Sequence, residues 1–177
     1  FFHEVLTHVK GEKAGTPFYL EPWQQGIIGN IFGWKRPDGT RRYREVFIYL
    51  PRKNGKTCTA AGIVNYVLFC EDEPGAEIYS AAADREQATL VFDQACGMVR
   101  QSTELDSRAT VLKKTILRRD LAGTYKAISA EAATKHGYNT HCAIIDELHA
   151  QPNRELVDVL ITSTGARREP LIIHITT

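Results

Sequence analysis

The 177 residues include 22 Lys and Arg against 21 Asp and Glu, a net charge of +1, and 43% of them are hydrophobic. This composition indicates one globular domain and excludes a disordered chain or a globally basic surface, so any contact with nucleic acid requires a local patch. No apolar run approaches the ~20 residues of a membrane span. No signal peptide is visible, and the four cysteines form no C-x-x-C pair, which favours reduced thiols over a zinc site.

Helical and strand patterns alternate along the chain. In chain order, the sequence predicts a helix over 23–34 with Pro22 in its first turn, a strand over 45–50, a helix over about 55–70, a strand over 78–82, a helix over 84–100 capped by Asp84, two or three short strands over 109–129 with a turn at Ala122-Gly123, a strand over 142–145, a helix over 153–166 capped by Asn153, and a strand over 171–175.

This order predicts an α/β fold, a three-layer sandwich whose mostly parallel central sheet is flanked by helices. Strands that are apolar along their whole length, such as residues 142–145, are typical of a sheet covered on both faces. In such sheets, ligands bind at the carboxyl ends of the strands. The functional residues are therefore expected where the strands end.

The loop after the first predicted strand has the composition of a phosphate-binding loop, Pro51-Arg52-Lys53-Asn54-Gly55-Lys56-Thr57. Backbone N–H groups of such a loop surround a polyphosphate at a helix N-terminus. Gly55 would let the backbone approach the phosphates, Lys56 would reach the β- and γ-phosphates, and the Thr57 hydroxyl would bind Mg²⁺. The general pattern G-x-x-x-x-G-K-[ST] has Gly where this chain has Leu50, and Arg52 and Lys53 could equally belong to a solvated basic loop.

An apolar strand ends in two adjacent acids, Asp146 and Glu147. In a phosphate-loop ATPase the first acid holds Mg²⁺ and the second polarises the attacking water. Successive side chains of an extended strand point to opposite faces, which would separate the two tasks. The alternative is a strand end that meets solvent, but the phosphate loop upstream favours the catalytic interpretation.

Two further segments complete a possible nucleotide site. The strand that ends in Thr176 and Thr177 could contact the γ-phosphate or its water, although β-branched residues are also ordinary strand formers. Gln24 carries an amide donor and acceptor that suit adenine. Its neighbour Trp23 is interpreted as a core residue.

Taken together in this order, the motifs Pro22-Trp23-Gln24, Pro51 to Thr57, Ile144-Ile145-Asp146-Glu147-Leu148-His149 and Ile175-Thr176-Thr177 resemble the N-terminal ATPase domain of the large terminase subunit of tailed bacteriophages. That family has a phosphate loop that lacks the first Gly, as here. The stretch from Ser80 to Ala88 also resembles the family's second strand and following helix.

The resemblance implies a phosphate-loop NTPase of the additional-strand (RecA-like) type. Its cofactors would be ATP and Mg²⁺, with Lys56, Arg52 and Glu147 catalytic, and with Thr57 and Asp146 as metal ligands. The implied nucleotide contacts are Gln24, Arg52, Lys53, Asn54, Gly55, Lys56, Thr57, Thr176 and Thr177. Arg52 would sense the γ-phosphate, and Thr176 and Thr177 would couple hydrolysis to movement. The segment before the acidic strand, residues 134–137, has no arginine for a finger acting in trans, and Arg85 or Arg100 would be guesses.

The resemblance also implies a packaging motor in the host bacterial cytoplasm, working as a homo-oligomeric ring with double-stranded DNA, portal protein and the small terminase subunit. We expect residues 1–177 to form the ATPase domain and to carry no chemistry of the family's C-terminal nuclease domain.

Two alternatives remain at the level of sequence. The box Asp146-Glu147-Leu148-His149 also occurs in superfamily 2 helicases, and a nucleotide-gated docking module with little turnover would need the same loop. His149 could link the site to nucleic acid or to the next strand, although a lone His is interpreted as structural. The basic residues Lys113, Lys114, Arg118, Arg119 and Lys126 could contact the DNA backbone without reading sequence, or they could form the solvated face of an edge hairpin.

Overall fold

A computed structural model describes residues 1–130 and 137–177 of the chain. Seven strands form one sheet in the order β1-β7-β6-β2-β5-β4-β3. The strands are β1 Glu45–Tyr49, β2 Glu77–Ala82, β3 Ala109–Val111, β4 Thr115–Arg118, β5 Gly123–Ser129, β6 Thr140–Asp146 and β7 Leu171–Thr176. Within the described residues, no helix is long and apolar enough to cross a membrane.

Five neighbouring strands, from β1 through β7, β6 and β2 to β5, run parallel, and β4 and β3 continue the sheet antiparallel. The carboxyl ends of the five parallel strands therefore lie at one edge, called here the carboxyl edge. Strand β7 lies between β1 and β6, with Thr176 beside Tyr49 and Ile175 beside Asp146. This inserted strand is the one that the additional-strand fold requires.

Helices cover both faces of the sheet. They are α1 Phe2–Val5, α2 Pro22–Gly33, α3 Lys56–Cys70, α4 Arg85–Gln101, α5 Thr103–Arg108 and α6 Glu155–Thr162, with a 3-10 turn at Leu148–Ala150. Along β6, Cys142 and Ile144 pack in the core that includes α3 and α4, whereas Ala143 and Ile145 pack in the core that includes α6. The predicted α/β three-layer sandwich is confirmed.

Local hydrogen bonds explain where the predicted element bounds hold and where they do not. The Asp84 carboxylate accepts from the N–H of Gln87 at 2.8 Å, which is the predicted cap of α4. Helix α6 is shorter than the predicted 153–166. Asn153 Oδ1 accepts from the N–H of Glu155, where the helix begins, and beyond its end the hydroxyls of Ser163 and Thr164 donate to carbonyls three residues earlier. Residues 109–129 form three strands, and Ala122 has a positive φ of 54° at the turn.

The sequence predicts no helix or strand in the first 19 residues, which are called here the N-terminal arm. An antiparallel bridge joins Thr7 to Pro17. The rings of Phe2 and Phe18 lie against Gly62 of α3, where a Cβ atom would stand 2.5 Å from Phe2 and 3.2 Å from Phe18. The arm therefore packs on the helix that begins at the phosphate loop.

Candidate functional site

The loop between β1 and α3 has the backbone of an anion site. Lys53 and Gly55 have positive φ angles of 67° and 70°, and the Asn54 amide donates to the Pro51 carbonyl at 3.1 Å. The 15-residue helix α3 begins directly afterwards at Lys56. Its first N–H groups have no partner within the helix, so this end attracts anions.

Leu50 occupies the position of the first Gly in the general pattern without disturbing this loop. Its side chain is buried in the core, and its N–H donates to the Thr176 carbonyl at 3.0 Å. Here the chain is still paired as a strand and has not yet reached the loop. A side chain at this position therefore faces the core.

The Lys56 ammonium contacts both predicted carboxylates. Its Nζ atom lies 2.9 Å from Asp146 Oδ1 and forms a shorter contact with Glu147 Oε1. The expectation that Asp146 and Glu147 point to opposite faces is wrong. Glu147 lies just beyond β6 in the left-handed region, at φ 46°, so the strand alternation stops there. This backbone, uncommon for a residue other than glycine, brings both carboxylates to one cation.

Glu147 is the most heavily contacted carboxylate of the site. Thr176 Oγ1 donates to it at 3.0 Å, and the N–H and hydroxyl of Thr177 donate at 3.2 Å each. Burial alone would raise the pKa of Glu147, but Lys56 and these donors outweigh it and lower the pKa to about 2. The end of the Thr176-Thr177 strand therefore lies beside the end of the acidic strand.

The same balance acts in reverse on the lysine. Burial by itself lowers the pKa of Lys56, but the Glu147 and Asp146 carboxylates raise it above its ordinary value.

His149, predicted to be structural, is exposed and lies 3.0 Å from Thr176 Oγ1 and 3.5 Å from Glu147. The ring thus reaches the next strand, β7, which is an alternative that the sequence left open.

Oxygen atoms suited to Mg²⁺ lie at the start of α3 and at the end of β6. Asp146 is buried, and its Oδ1 atom lies 2.9 Å from Lys56 Nζ and accepts no hydrogen bond from any other described residue. Thr57 lines the cavity above the phosphate loop. A carboxylate with a free lone pair and a hydroxyl are ligands that Mg²⁺ accepts. Thr57 and Asp146 therefore fit the predicted metal site.

Gln24 lies at the site but is already hydrogen bonded within the chain. Its amide nitrogen donates to Thr59 Oγ1 at 2.7 Å, and its amide oxygen accepts from the N–H of Glu21 at 2.8 Å. The side chain is 5% exposed. In this conformation Gln24 ties α2 to α3, and an adenine contact would require it to exchange these bonds. Trp23, interpreted from sequence as a core residue, is 37% exposed.

Two adjoining cavities lie over the phosphate loop. One, of about 390 Å³, is lined by the loop together with Glu147 and Thr177, and the other, of about 410 Å³, contains Gln24. Arg52 is exposed and lines the first, and Lys53 lines both. Residues that the motifs did not identify also line these cavities: His8, Lys10, Lys13, Phe18, Tyr19, Cys58 and Gln94.

The predicted basic patch is divided by the fold. Arg118 is 3% exposed and bonds to Asp120 and to the carbonyls of Leu68 and Glu71, so its assignment as a DNA contact is wrong. Arg119 is exposed, but its guanidinium donates to backbone carbonyls.

Three cations of the patch remain exposed: Lys113, Lys114 and Lys126. Because β4 runs antiparallel to β5, the Lys113-Lys114 turn lies at the carboxyl edge, whereas Arg118 and Arg119 lie at the opposite one. The segment 134–137, in which the sequence offers no arginine for a finger acting in trans, lies outside the described residues except for Gly137.

Comparisons with known proteins agree with this geometry. The family model "Terminase large subunit, ATPase domain" matches residues 22–177. The terminase large subunit of Enterobacteria phage HK97 is 34% identical over 173 residues, which is 95% of this chain and 33% of that protein. This chain thus spans about a third of that relative.

Solved structures give the same picture. The crystal structure of the HK97 bacteriophage large terminase matches with a TM-score of 0.85 at 31% identity, over 100% of this chain and 36% of that one. The large terminase ATPase domain of Thermus phage P74-26 matches with a TM-score of 0.64 at 18% identity, over 90% of this chain and 70% of that one. The second likeness concerns the fold alone.

Proposed function

The chain belongs to the family of terminase large-subunit ATPase domains, and we propose that it hydrolyses Mg²⁺-bound ATP at the carboxyl edge of its sheet to drive double-stranded DNA into a procapsid. The observation that carries this proposal is the convergence of Lys56, Asp146, Glu147 and Thr176 within hydrogen-bonding reach. Four groups from three elements meet where a helix N-terminus attracts phosphate.

Lys56 has two sets of possible anionic partners, and this competition gives the proposed mechanism. The nucleotide phosphates would draw Lys56 away from Glu147. Since Lys56 is one cause of the low pKa of Glu147, its departure raises that pKa and makes the carboxylate a stronger base for the attacking water. Mg²⁺ held by Thr57 and Asp146 would neutralise developing charge on the phosphates, with Arg52 as a further cation.

The position of Thr176 supports the coupling role proposed for Thr176 and Thr177. Both bond to Glu147, and both lie at the end of β7, which pairs with β1 and β6. A change in the charge or position of Glu147 would therefore act on β7, which lies between β1 and β6. Hydrolysis could move that strand relative to its neighbours.

For the larger assembly, we propose a homo-oligomeric ring in the host cytoplasm that contacts DNA, portal protein and small terminase subunit. The matches named above are to terminases, which favours packaging over the helicase alternative. The docking-module alternative differs from the motor in turnover. A direct assay of hydrolysis therefore separates the two.

The test is a Glu147→Ala variant. It is expected to bind ATP as well as the wild type or better, because Lys56 is released, while phosphate release falls at least about hundredfold with the loss of the base. The exposed Glu155 of α6 provides a matched control as Glu155→Gln, which should hydrolyse normally. Phosphate release by Glu147→Ala at the wild-type rate would remove Glu147 from the mechanism.

A further inference from the structure

The N-terminal arm reaches the nucleotide cavities, although the family model begins only at residue 22. Within the arm, Leu6 and Phe18, which are 1% and 2% exposed, are anchored in the core. The Phe18 N–H donates to the Leu6 carbonyl at 2.9 Å, and the His8 N–H to the Thr16 carbonyl at 2.9 Å. The segment between them is thus held as a hairpin on a fixed base.

Contacts with α3 and α4 fix where this hairpin lies. Val9 packs so closely on α4 that a Cβ atom at Gly97 would stand 2.4 Å from it. The His8 ring lies 3.9 Å from the Cys58 sulfur, one residue beyond Thr57 of the phosphate loop. The His8 side of the hairpin therefore lies at the first turn of α3.

The arm forms a wall that runs past both cavities. His8 lines both of them, and Lys10 lines the one that contains Lys56 and Glu147. Lys13 lines the one that contains Gln24. Lys10 is accordingly at the phosphate end of the site and Lys13 at the end away from the catalytic carboxylate.

The phosphate end of the site carries an excess of positive charge. Lys10 is exposed and forms no hydrogen bond or ion pair with the described residues. Its neighbours in the cavity wall include Arg52, Lys53 and Lys56, and the two carboxylates nearby are both bound to Lys56. Like charges facing one cavity repel unless a ligand of opposite charge fills it. A polyphosphate has that charge.

We propose that the N-terminal arm is a wall of the nucleotide site and that Lys10 binds the β- or γ-phosphate of the nucleotide. This inference rests on the proposed nucleotide hydrolysis. It adds a phosphate ligand from a segment outside the motifs of the family. It also gives Lys10 a role that Lys13 does not share, because Lys13 lines the cavity that contains Gln24.

The test measures equilibrium binding of fluorescent ATP and AMP to Lys10→Ala. Loss of one phosphate contact should weaken ATP binding about tenfold, or about 1.4 kcal/mol, and change AMP binding less than twofold, with recovery of ATP binding in Lys10→Arg. Arg36→Ala is the control, because Arg36 is exposed in the loop before β1, at the opposite edge of the sheet. This variant should bind both nucleotides normally.

Lys56→Ala distinguishes failure of this inference from failure of the proposed function. If Lys56→Ala weakens ATP binding and Lys10→Ala does not, the arm is no phosphate ligand while the proposed site stands. Equal weakening of ATP and AMP by Lys10→Ala would also overturn the inference, since Lys10 would then act through the fold of the arm. Normal ATP binding by both variants would reject the nucleotide site itself.

Discussion

Glu147 connects three parts of the molecule through one carboxylate. It forms an ion pair with Lys56 of α3 and accepts hydrogen bonds from the hydroxyls of Thr176 and Thr177 at the end of β7. Its left-handed backbone is what allows these contacts. The electrostatic consequence is a carboxylate whose pKa is held at about 2 and which remains charged well below neutral pH.

The low pKa of Glu147 predicts how the free energy of unfolding depends on pH. Because the pKa of Glu147 is lower in the folded protein than its ordinary value of about 4.3, its contribution to stability is complete above that value and is lost as the pH falls towards 2. Urea unfolding at pH 6 and pH 3 is therefore expected to show wild type losing more free energy than Glu147→Gln. An equal loss in the two proteins would mean that the carboxylate is not stabilised in the fold.

The sequence predicted the types of residue at the site better than their geometry. Lys56 and Asp146 could be proposed from sequence because phosphate and Mg²⁺ each demand a particular kind of side chain, whereas Thr176 was proposed through the family resemblance. The turn of Glu147 and the internal hydrogen bonds of Gln24 depend on neighbours far away in sequence. No spacing rule encodes such contacts.

At the scale of elements, the pairing of α3 with the N-terminal arm depends on a residue without a side chain. Gly62 lies in the middle of α3, where Ala would ordinarily gain up to about 1 kcal/mol of helix propensity. An added Cβ would meet Phe2 at 2.5 Å and Phe18 at 3.2 Å. Overpacking of this kind costs about 1–3 kcal/mol, so the steric loss is expected to exceed the propensity gain.

Gly62→Ala is accordingly expected to lower the free energy of unfolding. The matched variant is Gly29→Ala in α2, where no atom lies within 4 Å of the added Cβ, and it is expected to raise that free energy. Both are measured by urea denaturation of the purified chain. A stabilised Gly62→Ala protein would show that the arm does not pack on α3 in solution.

Helices and strands with a strong period of hydrophobic residues could be predicted from the sequence, and segments without such a period could not. The apolar run of β6 and the helical spacing of α4 determine their type because burial on one or both faces imposes the pattern. The N-terminal arm has no such period, since it is anchored by a few large side chains such as Phe2 and Phe18. Arg118 was misjudged for a related reason, because burial of a charged group depends on partners in other elements.

At the scale of the whole molecule, the charged groups of the proposed nucleotide and DNA sites lie at one edge of the sheet. The phosphate loop, the two acids and the Lys113-Lys114 turn all lie at the carboxyl edge. Nucleotide and DNA contacts on the same edge would let a change at one be transmitted to the other through the sheet. Because the net charge is only +1, the proposed DNA contact would depend on a local patch such as this one.

The double variant Lys113→Ala with Lys114→Ala tests this proposal. Each lysine that neutralises a phosphate contributes about 0.9 to the slope of log affinity against log salt, so the slope for double-stranded DNA is expected to decrease by about 2. Arg36→Ala, on the opposite edge, should leave the slope unchanged. An unaltered slope in the double variant would place the DNA elsewhere.

The central claim is that one site, built by Lys56, Asp146, Glu147 and Thr176, hydrolyses ATP. It is tested most directly by measuring ATP binding and phosphate release on the same preparation of Glu147→Ala, beside wild type and Glu155→Gln. We expect Mg²⁺-dependent phosphate release by wild type and Glu155→Gln, and retained binding with release reduced at least about hundredfold in Glu147→Ala. Wild-type phosphate release by Glu147→Ala would contradict this claim.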